Sequence, residues 1–197
     1  MTSRYRVGLA TLCVALLGLV TPSTMRADNL VANGGFETGN FNGWTIVSYG
    51  ADSFGVGTLN APDSPNSGTY YAFFGSDVPS NPSIISQTMT TSPGLGYTLN
   101  FWVANGVAAP GQSDFQALWD GGLLADVSGA SAFGYTDYTF DVTGTGSDTL
   151  TFEGYQQLGY YDLDDVSVDQ TPEPSGLLLL GTGLLGMCWL MRRKLKT

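Results

Sequence analysis

The sequence has no histidine, and only seven Lys and Arg against seventeen Asp and Glu, for a net charge of −10. The basic residues are Arg4, Arg6, Arg26, Arg192, Arg193, Lys194 and Lys196, all near the two ends. From Asp28 to Pro174 there is no cationic side chain, while every carboxylate of the chain lies in that stretch. A segment of this kind cannot neutralise phosphates, which excludes nucleic-acid binding through it. It also offers no imidazole base, no Schiff-base lysine and no arginine clamp. Its cysteines are missing as well: Cys13 and Cys188 both sit in apolar terminal runs. Most enzyme classes are removed on these grounds alone. What remains is 43% hydrophobic and 12% aromatic, enough to bury a core, so wholesale disorder is not expected.

The two ends read as addresses. Two arginines, Arg4 and Arg6, precede the apolar run Val7 to Val20, the layout of a secretory signal peptide and short for a membrane span. Residues 1–27 are assigned to it, with cleavage expected after Ala27; an uncleaved anchor helix is the alternative. Leu12 before Cys13 does not fit a lipoprotein site. At the other end, Gly176 to Met191 carries no charge. As a helix it would be about 24 Å long, extended by snorkelling of Arg192, Arg193 and Lys194. The basic cluster would stay cytoplasmic, which places the acidic body outside. Pro172, Glu173 and Pro174 come just before this run. Two prolines fix φ and block a helix, leaving the backbone extended for a protease.

The tripeptide Pro172-Glu173-Pro174, the apolar run and the arginine-rich end resemble a PEP-CTERM sorting signal over residues 171–197, with Thr171 where valine is more usual. The resemblance implies a Gram-negative-type bacterium that makes extracellular polysaccharide. It also implies recognition by exosortase, a membrane transpeptidase, an inner-membrane intermediate, and delivery to the cell surface or matrix. An ordinary single-pass anchor is the alternative.

Residues 28–170 are expected to form one all-β domain. Short Val-, Ile-, Thr-, Tyr- and Phe-rich runs alternate with Gly, Pro, Asn, Asp and Ser clusters. Strands are predicted at 29–32, 45–49, 69–74, 84–90, 97–104, 115–119, 135–142, 149–155 and 162–168. Leu150 and Phe152 should share a buried face, as should Leu99, Phe101 and Val103, with Asn100 and Trp102 opposite. Asp120-Gly121-Gly122 is a hairpin signal. The strand spacing suggests a β-sandwich or jelly roll.

The opening NLVANGGFETGNFNGW, the middle SIISQTMTTSPGLGYTLNFWVAN and LWDGG, and the closing YYDLDDVSVD together resemble galactose-binding-like jelly rolls, the fold of many carbohydrate-binding modules. The resemblance implies a structural calcium joining the first and last strands. Glu37 and the Gly35 carbonyl would supply ligands from the opening, Asp165 (or Asp164) from the closing, and Asp63 or nearby carbonyls a third contribution. Calcium would also relieve repulsion among uncompensated carboxylates. Solvated or turn-capping carboxylates are the bland reading. Sugar contacts, if present, would come from aromatic rings: Trp102, Trp119 and Tyr155 foremost, then Tyr160 and Tyr161. Trp119 is expected near a hairpin tip. A glycosidase would need two carboxylates flanking a sugar. With this many acids some pair is inevitable, and the resemblance implies modules without catalysis. The expectation is an exported, non-catalytic surface or matrix protein binding exopolysaccharide; the alternatives are a purely structural matrix protein and, less favoured, a glycoside hydrolase.

Overall fold

The structure, a computed structural model, describes residues 28–48, 54–58, 64–75, 81–171, 181–187 and 192. Residues 27–171 make one compact unit. Its strands are β1 (Thr45–Val47), β2 (Phe54–Thr58), β3 (Tyr70–Phe74), β4 (Ser83–Thr90), β5 (Gly96–Asn105), β6 (Ser113–Trp119), β7 (Gly122–Asp126), β8 (Phe133–Thr143), β9 (Ser147–Gln156) and β10 (Tyr161–Gln170). They form two five-stranded sheets, β1-β4-β9-β6-β7 and β2-β3-β10-β5-β8. All the described pairings are antiparallel. Without β1 and β2 the orders are 4-9-6-7 and 3-10-5-8, the strand exchange of a jelly roll; β1 and β2 each extend one edge.

Period-two alternation decides which face is buried. In β6, Ser113, Phe115, Ala117 and Trp119 are buried and the residues between are half-buried. In β5, Leu99, Phe101 and Val103 are fully buried, as are Leu150 and Phe152 in β9. The two inner faces meet through phenylalanines. Phe101 packs edge-on against Phe152 at 5.0 Å, and Phe74 edge-on against Phe115 at 5.6 Å. Such pairs add about 0.5–1.5 kcal/mol beyond the area they bury. The β6–β7 hairpin turns through Asp120 and Gly121, both with positive φ (50° and 77°). Two positive φ angles in a two-residue loop define a type I′ turn, which the Asp-Gly pair favours.

Two strands, β2 and β7, lie where none was predicted, and one predicted strand is absent. Residues 29–32 lie along the edge of β10 past Leu163, where β3 no longer pairs, but they are irregular because the Asn29 side chain takes the place of a backbone ladder. The segment is held by one backbone bond, Leu30 N–H to the Val168 carbonyl (2.9 Å), and by the Asn29 side chain. Asn29 Oδ1 accepts from Val31 and Val168, and its Nδ2 donates to the Val166 carbonyl.

The sorting residues Pro172, Glu173 and Pro174, the leader 1–27 and Asp63 lie outside the described residues. Of the C-terminal apolar run, 181–187 are helical. Among the described residues no helix is long and apolar enough to cross a membrane.

Candidate functional site

The opening and closing motifs build a single unit. β10 shifts register between Asp164 and Ser167, and Asp165 has φ +51°. Gly34 packs against this bulge: a Cβ there would stand 2.0 Å from the Val166 carbonyl oxygen. The Val166 amide donates back to the Gly34 carbonyl at 3.1 Å. Gly35 then faces the two aspartates, its Cβ direction 3.7 Å from Asp165 Oδ1 and 3.8 Å from Asp164 Oδ1.

The loop 64–68 closes over these carboxylates. Asp164 Oδ2 accepts from the Asn66 and Ser67 amides, at 2.8 and 3.1 Å. Asp165 accepts from Asn66 Nδ2 and Ser67 Oγ, both at 2.7 Å. Glu37 Oε1 accepts from the Thr69 and Tyr70 amides. Gly68 makes room for Glu37, since a Cβ there would lie 2.2 Å from Oε1. Asp164 is fully buried. Burial pushes its carboxyl up to about 6, with the Asp165 charge adding to the shift against the hydrogen bonds that oppose it.

Gly35, Glu37 and Asp165, three of the residues singled out in the sequence, therefore do meet here, and Asp164 with them. The donors are all oxygen, the type calcium takes, and residues 28–174 hold no cationic side chain to neutralise them. Asp164 Oδ2, both Asp165 oxygens and Glu37 Oε1 already accept hydrogen bonds from residues 66–70, and Asp164 Oδ1 accepts from the Asp165 amide. Among the described residues no group of three or more His, Cys, Asp or Glu side chains is arranged as metal ligands.

The outer face of the β2-β3-β10-β5-β8 sheet is the second feature. Strand register sets it out in rows. Trp102 pairs with Asp164 on one side and Asp137 on the other. Asn100 lies between Ser167 and Thr139, and Thr98 between Asp169 and Asp141. Asn100 Nδ2 donates to Asp137 Oδ1 and to Thr139 Oγ1, the latter at 2.9 Å. Beyond β10, the outward rings of β3 lie across glycines of β2. A Cβ on Gly57 would stand 2.8 Å from Tyr71 Cζ, and one on Gly55 2.8 Å from Phe73 Cζ. Tyr160 meets Phe73 edge-on at 5.1 Å. Tyr135 completes the aromatic set. Its hydroxyl is buried and has no hydrogen-bond partner among the described residues. Burial raises its pKa, and the charges of Asp162 and Asp164 add to the shift.

Trp102 is half-buried on this face, ringed by hydrogen-bonding groups. At the Tyr160 end opens a cleft of about 550 Å³, lined by Val107, Phe133 and Tyr160 among others. The other two expected sugar contacts lie elsewhere. Trp119 points into the core at 8% exposure, its Nε1 unpartnered among the described residues, and is no hairpin-tip platform. The reason is parity: it follows Phe115 and Ala117 on the inward row of β6. Tyr155 is half-buried on the outer face of the opposite sheet, paired with Asp114. Tyr161, a further candidate, is a core residue bonded to Ser113 and the Val127 carbonyl. The sequence reading missed Tyr71, Phe73 and Tyr135. The Gly-Val-Gly spacing in β2 was the available signal, because alternate glycines leave room for neighbouring rings on one face.

Comparison with known proteins bears on both ends of this description. Residues 170–194 match the PEP-CTERM protein-sorting motif. The chain carries a PEP-CTERM signal. A signal of this kind implies exosortase processing, export and surface-directed sorting. No protein of curated function matches the chain in sequence. By structure, the body is similar to TmCBM61, solved in complex with β-1,4-galactotriose: TM-score 0.59, 18% identity, covering 74% of this chain and 100% of that one. It is also similar to the CBM22-1 xylan-binding domain of Paenibacillus barcinonensis Xyn10C: TM-score 0.50, 14% identity, 77% and 99% covered. A third likeness is to the enzymatically active domain of bacteriophage CBA120 tailspike protein 4: TM-score 0.55, 18% identity, 73% of this chain and 21% of that one. These likenesses establish the fold, a jelly-roll sandwich of the carbohydrate-binding-module type behind a PEP-CTERM signal.

Proposed function

We propose that this PEP-CTERM protein is exported through an N-terminal signal peptide and delivered by an exosortase to the cell surface or matrix, where its sandwich binds exopolysaccharide without catalysis. The binding surface is the outer face built around Trp102. Sugar rings stack on exposed aromatic planes while their hydroxyls need donors and acceptors at the rim. Trp102 is the one expected sugar-binding residue that stands on an outer face with such groups on both sides, Asn100 and Asp137 among them. That placement carries the proposal. Phe73, Tyr135 and Tyr160 extend the platform, with Tyr71 buried beside them.

A calcium ion belongs to the same proposal. Glu37, Asp165, Asp164 and the Gly35 carbonyl would hold it, with Asp63 a further candidate. It would neutralise the carboxylates and tie the opening segment to β10. Its role is structural.

The test of the binding face is affinity electrophoresis of the full chain in gels containing host exopolysaccharide, β-1,4-galactan or xylan. Retardation should be lost in Trp102→Ala and retained in Tyr155→Ala. Equal retardation of wild type and Trp102→Ala would overturn the assignment.

A further inference from the structure

The charge of the body and the layout of the Trp102 face together select a class of polysaccharide. The outward positions of β5 on this face are bracketed by groups that carry no positive charge, and the carboxylates that reach solvent beside them are Asp137, Asp141 and Asp169. Asp137 stands next to Trp102 on β8, and Thr98 lies between Asp141 and Asp169. Asp162 pairs with Ala104 one row further along. Neighbouring strands are about 5 Å apart. A group resting on Trp102 therefore stays within about one Debye length of several of these acids at 0.1 M salt, too close for full screening. No arginine, lysine or histidine from the body can offset them, because residues 28–174 contain none. The remaining polar contacts on the face are neutral: Asn100, Thr98, Thr139 and Ser167.

We infer that the ligand of this face is a polysaccharide without fixed negative charge, neutral or amine-bearing, and that uronic-acid, sulfated and pyruvylated polymers are rejected. The inference rests on the glycan-binding reading above and goes beyond it. A uronate carboxylate brought onto the face would meet the like charges of Asp137, Asp141 and Asp169. A hydroxyl would find the acceptors it needs. A protonated amine would gain from the same acids that repel a carboxylate. The rejection is a property of the field over the face, so it weakens with added salt, whereas stacking on Trp102 does not.

The experiment compares one backbone in two charge states. The full chain is titrated by isothermal calorimetry with β-1,4-galactan, with the same galactan oxidised at C6 to the carboxylate, and with chitosan, at about 20 mM and about 500 mM sodium chloride, bracketing weak and strong screening. The expected result is at least tenfold weaker binding of the oxidised polymer than of galactan at low salt. The gap should narrow at high salt and shrink in Asp137→Asn/Asp141→Asn. Chitosan should bind more tightly at low salt than at high salt. Oxidised galactan binding as well as its parent at low salt would overturn the charge selection and leave the glycan-binding reading standing. Failure of all three polymers to bind would overturn that reading, and this inference with it.

Discussion

Gly34 and Val166, separated by most of the body's sequence, are hydrogen-bonded to each other at 3.1 Å and packed so closely that no side chain fits between them. This is why the NGGFE opening and the DDV closing occur together. The bulge in β10 turns the Val166 amide toward the opening segment, and only a glycine lets the backbones approach.

Replacing Gly34 with alanine puts a methyl 2.0 Å from a backbone oxygen, where no flexible side chain can yield. The cost should be about 1–3 kcal/mol or more, in the range of overpacked cores. Denaturant midpoints of the full chain would measure it. Gly94→Ala is the control: its Cβ meets open space, although its φ of +81° carries a smaller strain.

Trp119 buries a large ring whose indole nitrogen has no partner among the described residues. Trp119→Phe removes that donor but keeps an aromatic ring, so it should cost less than the alanine change. Trp119→Ala opens a cavity and should cost about 3–5 kcal/mol. Glycan retardation should be unchanged in Trp119→Phe, since the ring lies in the core.

Asp148 sets an acid limit. Burial alone would raise its carboxyl, but hydrogen bonds from Thr91 and from the Thr145 amide outweigh burial and hold it at about 2, below the ordinary 3.8. A depressed folded-state value stabilises the fold above the unfolded value, and the gain is lost as pH falls through the folded one. Unfolding midpoints should therefore drop between pH 3.8 and about 2 more steeply for wild type than for Asp148→Asn. Parallel curves would contradict this assignment.

Adding calcium should raise the melting temperature of the wild-type chain and a chelator should reverse the rise. Glu37→Gln and Asp165→Asn should abolish the response. A melting temperature indifferent to both reagents would remove the metal from the proposal.

The sequence disclosed the sandwich through alternation: Leu99, Phe101 and Val103, and Leu150 and Phe152, bury as a period of two requires. The Asp120-Gly121 turn was equally legible because its backbone demands positive φ. β2 was hidden because FGVGT has glycines where strand formers were sought. The opening strand was overread because apolar pattern does not show that the Asn29 side chain, and not the backbone, makes most of the bonds to β10. At the candidate site, Gly35, Glu37 and Asp165 were singled out by motif pairing, and the fold brings them close to one another. Trp102 and Trp119 could not be told apart by type; strand parity and its register against the core separated them.

Asn29 and Leu30 bond to Val166 and Val168, and Thr171 bonds to Gly96, so the body is entered and left along the same end of β10. Tyr160 and its cleft sit past the opposite terminus of that strand. Within the body, the points of entry and exit therefore lie at one end of β10 and the Tyr160 cleft at the other.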